Sequence, residues 1–368
     1  MKKEDTNKKK KRLLLALFML VISGVALTTA TYAWFSANTV VTTSDIDVKV
    51  TAATGISISA DALNFDKEIS MTDVINFAKE RGTNSTLQMP EQLNPVSTAG
   101  IVGANTDYTF VRGMLGENSS VVALENSTVN TTLGTDEEGN PTFTGGDYLA
   151  FDVYIKSSQD LDLKLASTTS ISALDAASGT GNLESGLRMG FLPLGASTDT
   201  STTGQQSSAL ALNKVQTDWK IWNPAPTLHH ASTLSGYADG ESELSKGYYA
   251  ANQATNEVEG LNTNGETATE EEITANANHY VKYLHKDVDG TTPAYLTLMD
   301  STNAHYIQNP DADNTYSGNV FKVKAGINKV RIYVWLEGND VDCVDAISIS
   351  NGLKIALGFE VVGSETGA

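Results

Sequence analysis

Short runs in which apolar and polar residues alternate recur along most of this chain, and this period of two constrains its fold more than any other feature. In residues 45–52 the apolar residues Ile46 and Val48 alternate with Asp47 and Lys49. Because successive side chains of a β-strand point to opposite faces, this pattern predicts a strand with one buried face. Similar apolar runs lie at residues 148–165, 187–194, 329–336 and 353–362.

About ten such strands can be counted, against one segment with helical periodicity at residues 70–81. No strand–helix–strand rhythm is present, and the connections are rich in turn-forming residues. The sequence therefore predicts an all-β fold, an antiparallel jelly roll or β-sandwich with long loop insertions and one or few short helices. Since no repeat of fixed period and no proline-rich linker divides the chain, we expect residues 45–368 to form a single elaborated domain. The stretches predicted as loops or insertions are 198–208 and 236–272, and residues 82–146 are rich in Asn, Thr and Gly with short apolar pieces.

Residues 1–33 have the organisation of an export signal. Seven Lys and Arg residues lie within residues 1–12, and an uncharged apolar run of 15 residues follows at 13–27. That run has the length of a signal-peptide core and is shorter than the roughly 20 residues that span a bilayer. Signal peptidases require small side chains one and three residues before the cut, so we expect cleavage after Ala33 or, alternatively, after Ala30. The competing interpretation is an uncleaved membrane anchor, extended by the aromatic residues that follow.

The charge of the chain argues against one class of function, and its cysteine content excludes a disulfide within the chain. Removal of residues 1–33 takes away seven basic and two acidic residues, which changes the formal net charge from −19 to −24. A chain this acidic is repelled by phosphate backbones, which argues against nucleic-acid binding. The single cysteine, Cys343, has no partner for a disulfide within the chain. We interpret it as a small buried side chain, with pairing between chains as the alternative.

Residues 34–44 form a short extension between the leader and the first alternating strand. Trp34 and Phe35 stand at its start, where exposed apolar side chains are unfavourable unless they dock somewhere. They dock either inside the same domain or in a neighbouring molecule, and the residues alone leave both possibilities open.

No arrangement of residues demands catalysis. H-E-x-x-H, G-x-S-x-G, P-loop and Rossmann patterns are absent from the sequence, and we expect the chain not to be an enzyme. The densest group of carboxylates is Glu337, Asp340, Asp342 and Asp345. Closely spaced oxygen ligands in a loop suit calcium, although the twelve-residue loop that ends in glutamate is missing. The group is either a calcium site or a solvated turn, and calcium is the only cofactor that the sequence indicates.

The leader and the residues after it resemble a group of exported proteins. The similarity rests on the basic start, the short apolar core, T-Y-A-W-F-S at 31–36 and S-D-I-D-V-K-V at 44–50. Over residues 13–52 these features resemble the TasA/camelysin group of fibre proteins. Residues 330–361 are also similar to the end of many exported proteins that carry this type of leader. The chain is longer than typical members of the group.

The resemblance implies a secreted structural subunit of cell-surface or biofilm-matrix fibres of a Gram-positive bacterium. A SipW-type signal peptidase would release the N-terminus, and residues 34–43 would then add as a donor strand to the sheet of the next copy, continuing toward Val50. The residues assigned to self-assembly are Trp34, Phe35, Val40, Val41, Ile46 and Val48. The implied partners are further copies of the chain, the peptidase and other matrix components, with membrane contact only through an uncleaved leader.

Two other functions remain as alternatives. A membrane-anchored adhesin or carbohydrate-binding module would retain the leader as its anchor. A secreted metal-dependent protease is the other alternative, because the camelysin branch of the group is associated with protease activity.

Overall fold

The computed structural model describes the chain in segments between residues 41 and 362. These described residues are 41–42, 46–53, 55–81, 88–90, 92–101, 107–115, 121–127, 133–135, 141–143, 146–173, 186–199, 201, 204–224, 282–286, 293–297, 305–307, 320–338 and 353–362. The predicted signal helix and the predicted loop at 236–272 lie outside them.

Within the described residues the chain forms 21 strands and two helices. The strands are β1 (Val41–Thr42), β2 (Ile46–Ala52), β3 (Ile56–Ser59), β4 (Glu68–Ser70), β5 (Gln92–Leu93), β6 (Pro95–Thr98), β7 (Phe110–Leu115), β8 (Val121–Ser127), β9 (Leu133–Thr135), β10 (Pro141–Phe143), β11 (Leu149–Ser157), β12 (Leu161–Leu165), β13 (Ser170–Ala173), β14 (Leu187–Ser197), β15 (Lys220–Trp222), β16 (Lys282–Lys286), β17 (Pro293–Thr297), β18 (Tyr306–Ile307), β19 (Phe321–Val323), β20 (Gly326–Glu337) and β21 (Leu353–Val361). The helices are α1 (Met71–Arg81) and α2 (Gln205–Leu210).

Six strands form one sheet, in the order β19–β12–β21–β2–β4 with β13 also paired to β21. β2 runs parallel to β21 over seven residue pairs, from Ile46 opposite Leu353 to Ala52 opposite Phe359. The other edge of β2 is covered by β4 at residues 49–51. The first long strand of the chain and its last strand therefore lie side by side.

Eleven strands form a second sheet, in the order β17–β16–β8–β7–β6–β20–β14–β15–β18 with β11 and β3 off this path. β20 is antiparallel to β14 on one side and to β11 on the other, and β6 pairs with β20 beyond the end of β11. β3 pairs with β11, and its residue Ile58 exchanges two backbone hydrogen bonds with Asp66, just before β4. This connection joins the two sheets along one side.

The two sheets share one apolar core. A single cluster of buried side chains contains Val48 and Phe359 of the six-stranded sheet together with Phe151, Phe191 and Ile332 of the eleven-stranded sheet, each at most 1% exposed. The ring of Phe191 meets that of Phe359 edge-on at 5.9 Å, across the interface between the sheets. The prediction of an all-β chain with few helices is confirmed.

The central strands of the eleven-stranded sheet are buried on their second face as well. Along β20, Ile332 belongs to the shared core, whereas its neighbours Tyr333 and Trp335 belong to a separate cluster. Aromatic rings dominate that cluster. The ring centroid of Phe110 lies 5.1 Å from that of Trp335 and 4.1 Å from that of Tyr148. We call this set the aromatic layer, and its members are Tyr108, Phe110, Tyr148, Trp219, Tyr306, Tyr333 and Trp335. The central strands are therefore buried on both faces, unlike a sheet that exposes one face to water.

Most strand pairs in the described residues are antiparallel, as the sequence predicts, but the pairing is not antiparallel throughout. Four pairs are parallel, namely β2–β21, β6–β20, β8–β16 and β15–β18. Parallel neighbours need a long connection, and the two members of each pair are far apart in the chain. An alternating pattern identifies a strand but carries no information on the direction of its neighbour.

Helix α1 confirms the helical segment predicted at residues 70–81. Ser70 N donates to Asp73 Oδ2 at 2.7 Å, and Asp73 N donates to Ser70 Oγ at 3.3 Å. These bonds satisfy donors at the helix start that have no partner within the helix. Met71 and Val74 then face the shared core.

Helix α2 overturns part of the loop predicted at residues 198–208. Its sequence is rich in Ser and Gln and gives little helical signal. Ala209 is completely buried, and Gln205 Nε2 donates to the carbonyl oxygen of Ala62 at 3.2 Å. Packing, rather than propensity, accounts for a helix this short.

Candidate functional site

Residues 41–42, the described part of the predicted donor segment, add as a strand to another part of the same chain. Val41 lies opposite Leu93 and Thr42 lies opposite Gln92 in an antiparallel pair. This pair of strands, β1 and β5, is separate from both large sheets. The segment before β2 therefore occupies a strand edge, and β5 is the acceptor of that strand.

The acceptor strand is fixed to the core by its flanking residues. Leu93 is completely buried in the shared core. Asn94 donates twice to Asp147, from N to the carbonyl oxygen at 2.8 Å and from Nδ2 to Oδ1 at 2.9 Å. Ser127 Oγ donates to Oδ2 of the same carboxylate, and Arg112 Nη1 lies 3.7 Å from its Oδ1. β5 is thus held by contacts that do not involve the donor segment.

Gln88 provides a second anchor on the N-terminal side of β5. Its backbone exchanges hydrogen bonds with Ala150, and its Nε2 donates to the carbonyl oxygen of Tyr148 at 2.6 Å. The side chain of Gln88 is completely buried and lies directly against Gly146. Gly146 has φ +93°, and a Cβ at that position would lie 2.4 Å from Gln88 Cδ. A glycine is required there both for its backbone conformation and for the close approach of Gln88.

We expect Gly146→Ala to lower the free energy of unfolding by about 2–4 kcal/mol, because a left-handed backbone strain adds to the displacement of a buried side chain. Urea denaturation followed by tryptophan fluorescence measures the loss. Gly55→Ala is the matched control, since Gly55 also has a positive φ of +100° but no atom lies within 4 Å of an added Cβ. Equal losses in the two variants would show that Gln88 moves aside without cost.

The remaining residues assigned to assembly and cleavage divide into two groups. Ala30, Ala33, Trp34, Phe35 and Val40 lie outside the described residues, so the cleavage site and the docking of the aromatic pair stay predictions. Ile46 and Val48 lie in β2, inside the six-stranded sheet of their own chain, and Val48 is completely buried. β2 is a core strand, and the donor segment proper precedes it.

Glu337, the first member of the predicted calcium group, lies at the end of β20 and is 1% exposed. Its Oε2 accepts a hydrogen bond from Trp335 Nε1 at 3.0 Å, and its Oε1 accepts one from Ser97 Oγ. The other three members, Asp340, Asp342 and Asp345, lie outside the described residues, so the calcium site stays a prediction. Among the residues that the structure describes, no group of three or more His, Cys, Asp or Glu side chains is placed to hold a metal ion.

A group of buried charges on the second face was not predicted from the sequence. Arg331 donates from Nε to Asp152 Oδ1 and from Nη1 to Asp107 Oδ2, each at 2.8 Å. Lys329 Nζ lies 3.0 Å from Asp152 Oδ2, and Tyr333 donates its hydroxyl to Asp107. We call Asp107, Asp152, Lys329 and Arg331 the buried charge cluster. The side chains of Asp152, Lys329 and Arg331 are at most 9% exposed, whereas that of Asp107 is 30% exposed at the edge of the cluster. The two cations and two carboxylates balance, which makes the burial tolerable.

Burial and neighbouring charges shift the pKa values of this cluster in opposite directions. Burial raises the pKa of Asp107 above its ordinary value, although the nearby charge of Arg331 acts to lower it. Burial also disfavours the charged form of Arg331, but Asp152 and Asp107 outweigh that effect and raise its pKa. In both residues the charged form is disfavoured by burial and favoured by the oppositely charged partners.

A cleft of about 710 Å³ lies between β4, α1 and the turn that precedes β4. Several carboxylates line it, and the fold already uses them. Glu68 Oε2 lies 2.8 Å from Lys49 Nζ, Asp73 caps α1, and Asp61 Oδ1 accepts hydrogen bonds from the backbone of residues 63 and 64. The cleft therefore indicates no particular ligand.

No family model, no curated protein and no solved structure matches this chain. In the described segments, neither helix is long and apolar enough to cross a membrane. A functional interpretation therefore depends on the leader, the N-terminal strand and the surroundings of its acceptor.

Proposed function

We propose that this chain is a non-catalytic structural subunit of cell-surface or matrix fibres, secreted after removal of residues 1–33. Copies assemble when the N-terminal segment of one copy adds as a strand to the next, and a jelly-roll order of the strands belongs to the same proposal. The observation that supports it most is the pairing of β1 with β5 outside both large sheets. In a polymer the same edge accepts the segment of a neighbouring copy.

The pairing within one chain is short enough to exchange. It involves two residues on each strand, and a backbone hydrogen bond contributes only about 0.5–1.5 kcal/mol net. Three residues, 43–45, connect β1 to β2. Exchange of an identical element between copies needs no new surface, because the acceptor edge is already formed.

The residues before β1 supply the apolar area that a contact between copies needs. Trp34 and Phe35 precede β1 by a few residues, and burial of a large apolar side chain contributes about 1.5–3 kcal/mol. Two such side chains outweigh the hydrogen bonds of the short ladder. In the proposal they dock on the neighbouring copy and give the polymer its stability.

Deletion of residues 34–44 tests this function. We expect the mature chain that begins at Trp34 to form filaments in negative-stain electron microscopy, and the deletion variant to stay dispersed with an unchanged circular dichroism spectrum. Val41→Pro should weaken assembly because proline lacks the backbone donor of a strand, whereas Val41→Thr keeps a β-branched side chain and serves as its control. Filaments from the deletion variant, or none from the intact mature chain, would overturn the proposal.

A further inference from the structure

We propose that Lys329 and Asp152 form an isopeptide bond, an amide that joins Nζ of the lysine to Cγ of the aspartate. The bond ties β20 to β11 covalently within one chain. This inference is independent of the proposed fibre function.

The two side chains are held together away from water. They are 4% and 2% exposed, and Lys329 Nζ lies 3.0 Å from Asp152 Oδ2. Despite that distance, Asp152 Oδ2 makes no hydrogen bond within the described part of the chain. The hydrogen bond from Lys329 Nζ goes to the carbonyl oxygen of Leu210 at 3.1 Å. The nitrogen therefore lies at contact distance from the carboxyl group without making a hydrogen bond to Oδ2, and the proposal is that it attacks Cγ from this position.

The surroundings of the pair favour condensation. Tyr154 and Ile327, two residues from Asp152 and Lys329 on the same strands, belong to a buried apolar cluster with Ala209 of α2. Because water is a product of the reaction, a site that excludes water favours the amide. Fixing the two groups side by side also removes the entropic cost of bringing them together.

The buried charge cluster allows the required proton transfer. When a proton passes from Lys329 Nζ to Asp152 Oδ2, both groups become neutral, while Arg331 and Asp107 remain an ion pair with 2.8 Å between Nη1 and Oδ2. The cluster stays neutral at every stage, so the transfer leaves no isolated charge in the interior.

Arg331 is placed to assist the bond-forming step. The neutral Nζ attacks Cγ of Asp152, and negative charge develops on Oδ1, which already accepts a hydrogen bond from Arg331 Nε at 2.8 Å. The bond from Cγ to Oδ2 then breaks. Oδ2 leaves with its own proton and one from Nζ, so the products are one amide and one water molecule, without oxidation or reduction.

An exposed pair in the same chain provides the comparison. Lys324 Nζ lies 2.8 Å from Asp160 Oδ2, closer than in the buried pair, but these side chains are 64% and 63% exposed. Lys324 Nζ also makes a regular hydrogen bond to that oxygen. Water solvates both ions there and favours the separate charges, so no amide is expected at this pair.

Intact-mass spectrometry of the purified, denatured protein tests the inference. With the N-terminus determined by sequencing, we expect a mass lower than that of the sequence by one water molecule, and peptide mapping should place the link between residues 152 and 329. Lys329→Arg and Lys329→Met should both show the full sequence mass, and Lys324→Arg should keep the deficit. Full mass in the unmodified chain, a deficit that persists in Lys329→Arg, or a link at another position would overturn it. The mass of the unmodified chain decides the question even if the Lys329 variants fail to fold.

Discussion

Arg331→Met should lower the free energy of unfolding by about 3–5 kcal/mol, because it removes the cation that pairs with Asp107 and the donor to Asp152 Oδ1. Arg331 is 8% exposed, and it is hydrogen-bonded to Asp152 and Asp107 at 2.8 Å each. Methionine is apolar and unbranched, so the loss reports the missing charge and hydrogen bonds more than a cavity. Urea denaturation should show a lower midpoint. The m value, which is the slope of the unfolding free energy against urea concentration, should stay unchanged.

Two further variants isolate the cause of that loss. Lys324→Met removes a lysine from the exposed pair with Asp160 and should leave the midpoint unchanged. In an Asp107→Asn background, Arg331→Met should cost less than in the natural sequence, because one carboxylate that would be orphaned is already neutral. If Arg331→Met has no more effect than Lys324→Met, the buried charge cluster does not stabilise the fold.

Trp335→Ala should cost about 3–5 kcal/mol, the range for truncation of a large aromatic side chain in a core. Trp335 is completely buried in the aromatic layer, with its ring 5.1 Å from that of Phe110. Its Nε1 also donates to Glu337 Oε2 at 3.0 Å, and Glu337 is itself 1% exposed. The variant therefore creates a cavity and removes a donor from a buried carboxylate. Chemical denaturation measures the sum of the two effects.

Trp335→Phe separates them. Phenylalanine retains most of the apolar ring but has no donor for Glu337, so its cost should be smaller, about 1–3 kcal/mol for a buried acceptor that loses a partner. Similar losses for the alanine and phenylalanine variants would assign nearly the whole effect to the hydrogen bond. A loss below about 1 kcal/mol for alanine would contradict the account of the aromatic layer as a packed second core.

The sequence predicted the long strands well because their alternation is local information. It predicted about ten strands where the described residues contain 21, because strands of two to four residues carry little periodic signal. β2, β11, β20 and β21 all lie where alternation placed them, and α1 begins at the predicted cap. Burial of the second face could not be predicted. Asp152, Lys329 and Arg331 stand at alternate positions of their strands, and such a pattern is typical of a face in water. Only the pairing of β11 with β20 brings these charges together, and that pairing joins residues far apart in the chain.

The sequence analysis indicated the donor strand of the candidate site but not the strand that pairs with it. The resemblance of the leader and the residues after it to the TasA/camelysin group implied a donor strand at residues 34–43. The strand that pairs with residues 41–42, β5, has two residues within a stretch rich in Asn, Thr and Gly, and a strand that short carries no periodic signal. What makes it an acceptor is the anchoring of its flanks by Gln88 and Asn94, which depends on contacts with residues 147–150.

The proposed fibre requires that the N-terminal segment of one copy pairs with Gln92–Leu93 of another. Thr42 and Gln92 lie opposite each other in β1 and β5, and opposite residues of antiparallel strands have Cα atoms about 4.5–5.5 Å apart. That separation lies within the range of about 4.4–6.8 Å that a disulfide bridges. Two proteins are prepared in a Cys343→Ser background, one with Thr42→Cys and the other with Gln92→Cys, so that neither can form the bond within its own chain.

The decisive measurement is disulfide formation in filaments grown from an equal mixture of these two proteins. The account predicts dimers on non-reducing gels that contain one chain of each kind, in excess over dimers of either protein alone. Filaments that form without such mixed dimers would contradict it, because assembly would then use an edge other than β5.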